Sequence, residues 1–95
     1  GMTVPYFAIE IARHRLIPAH FNRSVILAEM HSPRDAIEPG FLDRVVPSDQ
    51  VVRTAQESAA AMSALDMTAH AATKLRARGA TLTALRHAIE SELTS

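Results

Sequence analysis

The sequence predicts an all-α chain of several packed helices with one short extended segment. Two observations predict it: apolar residues recur at three- to four-residue intervals through most of the 95 positions, and cap residues or prolines stand where those runs begin. A chain this short forms one domain at most, residues 1–95, and buries only about 60 to 65% of the surface its unfolded form exposes. Marginal stability without a partner is therefore expected.

Pro5 suits a first helical turn, because its missing N–H has no intrahelical partner there. The first helix should run to about Leu16, with Phe7, Ile11 and Ala8, Ala12 four apart and Glu10, Arg13 and His14 on the other side. Pro18 ends or kinks it. A second helix, from Ala19 to about Met30, sets Phe21, Val25 and Ala28 in a stripe beside Ile26 and Met30. Ser32, Pro33 and Asp35 give a cap, a first-turn proline and an acid for a short helical turn. Pro39-Gly40 breaks that turn. Phe41 to Val46 reads as a brief extended stretch bounded by Pro47. Ser48 and Asp49 then cap a third long helix in which Val52, Ala55, Ala59 and Met62 share a face. Asp66 caps a further helix from Met67 to about Arg78, closed by Gly79 in the left-handed conformation. A last helix carries Leu82, Leu85, Ile89 and Leu93 as its stripe.

Ten basic and ten acidic residues give zero net charge, so no broad positive field exists to draw a phosphate backbone or an anionic bilayer. Nucleic acid and membrane are not expected partners. No apolar run approaches the roughly 18 to 20 residues of a bilayer span, and the start lacks a secretory succession; a cytoplasmic location follows. With no cysteine, disulfides, thiolate nucleophiles and thiolate zinc sites are excluded together. Gly1 has the character of a cloning residue ahead of an initiator Met2.

His14, His20, His31, His70 and His87 lack the paired spacing that brings two imidazoles to one ion, so no metal site is expected. Glu10, Glu29, Glu38, Glu57, Glu90 and Glu92 sit mostly on polar faces, whereas a general acid or base needs a cleft and a perturbed pKa. No catalytic residue is assigned. Neither a nucleophile elbow nor a phosphate-cradling glycine loop is present. Lys74, Arg76 and Arg78 form a short basic cluster, either a solvated face or a contact for an anionic phosphate such as that of a cofactor.

Ser32-Pro33-Arg34-Asp35-Ala36-Ile37-Glu38-Pro39-Gly40-Phe41-Leu42-Asp43-Arg44-Val45-Val46-Pro47 resembles the segment of the crotonase (enoyl-CoA hydratase/isomerase) superfamily in which a helical turn bearing alanine leads to Gly-(Phe/Leu)-(Leu/Val)-Asp-x-Val-Val-Pro. Upstream, Gly1 to Pro5 and the run Ala12-Arg13-His14-Arg15-Leu16 resemble the family's Gly-x-x-x-Pro turn and the helix ending in Arg-Leu. Downstream, Ala72-Thr73-Lys74 is similar to its Ala-x-Lys step. Ala28-Glu29 stands where many relatives have Thr-Gly.

The resemblance places the sequence at the C-terminal helical part of that fold. It implies a β-rich core before Gly1 that carries the oxyanion-hole amides and the acid/base carboxylates; the second glutamate of the hydratases would fall a few residues ahead of Gly1. It also implies acyl-CoA chemistry for the complete enzyme, with the CoA thioester as substrate and no cofactor on this chain. The isolated chain is expected to be inactive, and its partners to be further copies of itself or a crotonase-core chain. A truncated or split gene product fits this reading. The alternative is a free-standing helical protein-interaction module that has lost the chemistry. A third possibility rebuilds a hydratase site around Glu10 or Glu29.

Overall fold

The computed structural model describes residues 1–94. Four α-helices follow one another, α1 Tyr6–Arg15, α2 Pro18–Val25, α3 Val51–Met62 and α4 Met67–Thr94, with 3₁₀ turns at Arg34–Ala36 and Ser48–Gln50. No strand occurs among the described residues.

Pro5 caps α1 from an extended backbone, one position earlier than the sequence places it. The free amide of Tyr6 donates to the Glu92 carboxylate at the far end of the chain. An acid at a helix N-terminus meets both the orphan donors and the positive end of the macrodipole. At the other end, Arg13, His14 and Arg15 occupy the last turn, where cations are favoured. Pro18 opens α2 at its first position and so separates it from α1, because the ring fixes the backbone angle and removes a donor.

The second helix is shorter than its apolar pattern. It stops at Val25, not Met30, because the Ile26 and Leu27 amides both turn back to the Asn22 carbonyl. Glu29 then donates to Arg23, and Ala28 takes φ +53°, a left-handed angle that ends any helix. Ile26 and Met30, assigned to the stripe, are left exposed.

The two predicted C-terminal helices are one. Asp66 caps α4 as expected, its Oδ1 accepting the Ala69 amide at 2.9 Å, but the helix runs through Gly79 without interruption. Glycine costs a helix interior about 1 kcal/mol relative to alanine. Docking of the second half against α1 offsets that cost. Nothing lies within 4 Å of a Cβ built on Gly79. Gly79→Ala should therefore stabilise the chain by about 1 kcal/mol, read as a melting midpoint several degrees higher; an unchanged or lower midpoint would show that the glycine is needed.

α1 packs on both α2 and α4, whereas α3 touches no other long helix among the described residues. The inner face of α4 is Thr81, Ala84, Leu85 and Ala88, so only Leu85 of the expected stripe faces inward, and Leu93 is 82% exposed. Small residues win that face because α1 packs against it, and Ala8 and Ala12 of α1 are themselves half-buried. On α3 the stripe is split: Ala55 and Met62 line a groove together with Val51, Thr54 and Ser58, while Val52 is 69% exposed.

Buried apolar residues are few: Leu16, Ala36 and Ala88, with Pro39 the fully buried proline. The chain exposes 7781 Å², against about 5,400 Å² for a compact monomer of this size. Its radius of gyration is 16.3 Å, against about 12 Å for a compact fold of 95 residues. The helices present faces that they do not cover themselves.

Candidate functional site

Residues 39–46 border two concave regions of the surface. Pro39 accepts the Ile17 amide at 2.9 Å, Gly40 sits at φ +109° against the Arg15 carbonyl, and the Leu42 amide reaches Ala36 at 3.2 Å. Arg15 then grips Asp43, Nη2 to Oδ1, at 2.7 Å. Together these contacts fasten the segment to the turn between α1 and α2. Asp43 is nevertheless largely exposed, and an exposed ion pair contributes about 1 kcal/mol at most.

Past Asp43 the segment runs beside α3 and bounds an open groove of about 930 Å³. Leu42, Val45, Val46, Val51, Ala55 and Met62 make it mainly apolar. The expected extended stretch is irregular here and pairs with no strand of the described residues. The groove offers apolar surface and no buried acid, so it suits side chains or a hydrocarbon better than proton transfer.

A second, polar hollow of about 330 Å³ lies between α2 and residues 29–39, lined by His20, Arg23, Glu29, His31, Arg34 and Glu38 among others. His31 hydrogen-bonds Ser24 at 3.2 Å through Nε2 and stacks at a tilt on Phe41, 5.5 Å between centroids. The Nδ1 of His20 is buried without a hydrogen-bond partner. No group of three histidines or carboxylates among the described residues is arranged to hold a metal ion.

Lys74, Arg76 and Arg78 lie on the first half of α4, all exposed and none in an ion pair among the described residues. Lys74 and Arg78 are one turn apart and share a side; Arg76, about 200° from each around the axis, faces away. Of the glutamates considered, Glu10 pairs with Arg13 at 3.6 Å, Glu29 edges the polar hollow and Glu92 caps α1. No polar or charged residue among those described is buried.

The contacts that sequence reasoning missed are the long-range ones: Glu92 on the Tyr6 amide, Arg15 on Asp43, and His14 Nδ1 with the Thr81 hydroxyl at 2.9 Å. Spacing of 28 to 86 residues leaves no local signature. Gly40 had a signal, the Pro-Gly pair, which marks a break without saying what approaches it.

No family model and no curated protein matches the chain. Solved structures do. An enoyl-CoA hydratase/isomerase family protein from Pseudomonas syringae is 44% identical over 97% of this chain and 40% of its own, with a TM-score of 0.92. An enoyl-CoA hydratase from Mycobacterium ulcerans is 38% identical over 95% of this chain and 40% of its own, with a TM-score of 0.90. The enoyl-CoA isomerase of Mycobacterium tuberculosis is 38% identical over 100% of this chain and 42% of its own, with a TM-score of 0.95. The chain thus spans about 40% of the length of these relatives. No helix of the described residues is long and apolar enough to cross a membrane. Helix for helix and over nearly its full length, this chain has the fold of the C-terminal helical part of the crotonase, or enoyl-CoA hydratase/isomerase, superfamily.

Proposed function

We propose that the chain contributes packing and oligomer formation to acyl-CoA chemistry of the enoyl-CoA hydratase/isomerase type, with the catalytic groups supplied from outside these 95 residues. The observation that carries the reading is the match itself, 44% identity along 97% of this chain but only 40% of the relative. Its exposed surface agrees: about 2,400 Å² beyond that of a compact monomer awaits cover. Crotonase chemistry rests on preorganised amides aimed at a developing enolate oxygen, worth several kcal/mol. The amides of α1 to α4 are mostly committed to their own helical ladders.

In this role Lys74 and Arg78, of the basic cluster Lys74, Arg76 and Arg78, meet the phosphates of a CoA thioester from their shared side, while Arg76 faces away from that contact. In a chimera that joins this chain to the rest of a relative, reversing both charges should raise KM and leave kcat in place, because phosphate contacts far from the reacting carbon bind ground and transition states alike.

The direct test replaces the matching part of the Pseudomonas syringae relative with this chain. The chimera should fold and turn over the acyl-CoA that the intact relative uses, while the chain alone gives no turnover with crotonyl-CoA. A folded but inactive chimera would favour the free-standing interaction module. Hydration by the isolated chain, abolished by Glu10→Gln or Glu29→Gln, would overturn the reading.

A further inference from the structure

The main chain of residues 43–46 is unpaired. The amides and carbonyls of Asp43, Arg44, Val45 and Val46 make no hydrogen bond with any described residue, although the flanks do: Leu42 donates to Ala36 at 3.2 Å and Gln50 to Pro47 at 2.9 Å. Water satisfies such groups only while the surface stays open; once covered, each needs a protein partner. Residues 44–47 contain no turn or bend, and Val45 and Val46 are half-buried along the apolar groove of about 930 Å³. The Arg15–Asp43 ion pair holds the start of the stretch, and Pro47 limits its end. Beside it stands α3, whose Val51, Ala55 and Met62 line the same groove and which packs on no other long helix of the described residues.

We infer that this edge and its groove seat a strand, with its apolar side chains, from the part of the relatives' fold that lies outside this chain. The inference rests on the proposed function, in which the catalytic groups come from outside, and names where that part docks. A bare row of main-chain donors and acceptors is matched by another extended main chain, and the adjoining groove takes that strand's side chains. The relatives have room for such a partner, since the matched part makes up 40 to 42% of them and about 60% of each lies beyond it. The area agrees: the exposed excess of about 2,400 Å² is three times the roughly 800 Å² that one side gives to a standard interface, and falls in the range of obligate, permanently covered ones. A second copy answers the surface less well. Two-fold antiparallel pairing must set one residue opposite its own copy, because neighbouring pairs alternate in hydrogen bonding. On Asp43 or Arg44 that brings like charges face to face; on Val45 or Val46 it draws Pro47, which has no amide, into the ladder. With the edge on the axis, each copy would also set a hollow against the same hollow, which encloses space instead of filling it.

Amide exchange tests the seat, measured on the chain alone and on the chimera with the Pseudomonas syringae relative. In the chain alone, the amides of residues 43–46 should exchange freely at every concentration. In the chimera, alternate ones should slow, either Asp43 and Val45 or Arg44 and Val46, because successive residues of a strand point their amides to opposite sides. Val45→Pro and Val46→Pro then act unequally. The replacement at a slowed position removes a bond and leaves its acceptor covered and unpaired, so the unfolding equilibrium constant of the chimera should rise roughly tenfold, while the other replacement costs much less. Both should leave the helix content of the chain alone in place, as neither amide serves an intrachain bond. A folded, active chimera in which none of the four amides slows overturns the seat and leaves the proposed function standing. Slowing in the chain alone that grows with concentration gives the edge to a second copy and overturns the seat as well. A chimera that does not fold overturns both.

Discussion

Gly40→Ala should cost the chain about 2 to 4 kcal/mol, enough to leave much of it unfolded. Two separate penalties meet at this residue. Its φ of +109° lies where side-chain-bearing residues rarely go, and a Cβ there would stand 2.8 Å from the Arg15 carbonyl oxygen and 3.4 Å from the Leu16 Cα. Neither neighbour is a flexible side chain that can swing away. Relief would require moving the turn between α1 and α2, which breaks the hydrogen bond from Ile17 to Pro39. The same replacement at Gly79 meets open space in a helix and carries the opposite sign, so the pair of variants controls for the added methyl. Urea denaturation checks both. A loss at Gly40 below about 1 kcal/mol would mean that the segment relaxes easily and does not fix the groove.

Leu16→Ala should be nearly as severe, costing about 2 to 4 kcal/mol. Leu16 is 5% exposed and is the large aliphatic side chain of a very small core, at the end of α1 and beside the Gly40 turn. Truncation removes the transfer energy of the deleted methyls and leaves a cavity that collapses only in part where the main chain is pinned by the Ile17–Pro39 hydrogen bond. The urea midpoint should fall with an unchanged slope. A loss under about 1 kcal/mol would show that the α1–α2 turn is held by its main-chain hydrogen bonds instead of by packing.

The fold class and most helix starts were legible because their causes are local. Pro18 and Asp66 act within one turn of themselves, at or just before the start of a helix; Ser48, expected to cap α3, instead opens the 3₁₀ turn Ser48–Gln50 without a side-chain cap bond, and α3 starts at Val51. Three other features follow from forces beyond the local window. The end of α2 is set by the Asn22 carbonyl collecting two amides, not by where apolar residues stop. Continuity of α4 through Gly79 reflects docking of its second half on α1, which no propensity anticipates. The inner face of α4 departs from its most apolar row because small residues let α1 come close, whereas α3 meets no other long helix of the described residues and only Ala55 and Met62 of its expected stripe line the groove. Of the candidate site, the basic residues were visible as letters, but that Lys74 and Arg78 share a side without Arg76 became definite only once they lay on one continuous helix.

α4 is also a lever. Its 28 residues run about 42 Å, matching the 43 Å long dimension of the molecule, yet α1 clasps only the part from Thr81 onward. The 14 residues from Met67 to Ala80 extend about 21 Å beyond that fulcrum. A tilt of about ten degrees at the clasp, the sort of adjustment packed helices make when they shear, sweeps the Asp66 end through roughly 4 Å. Small repacking around Ala88 thus reappears, magnified, where Lys74 and Leu75 project.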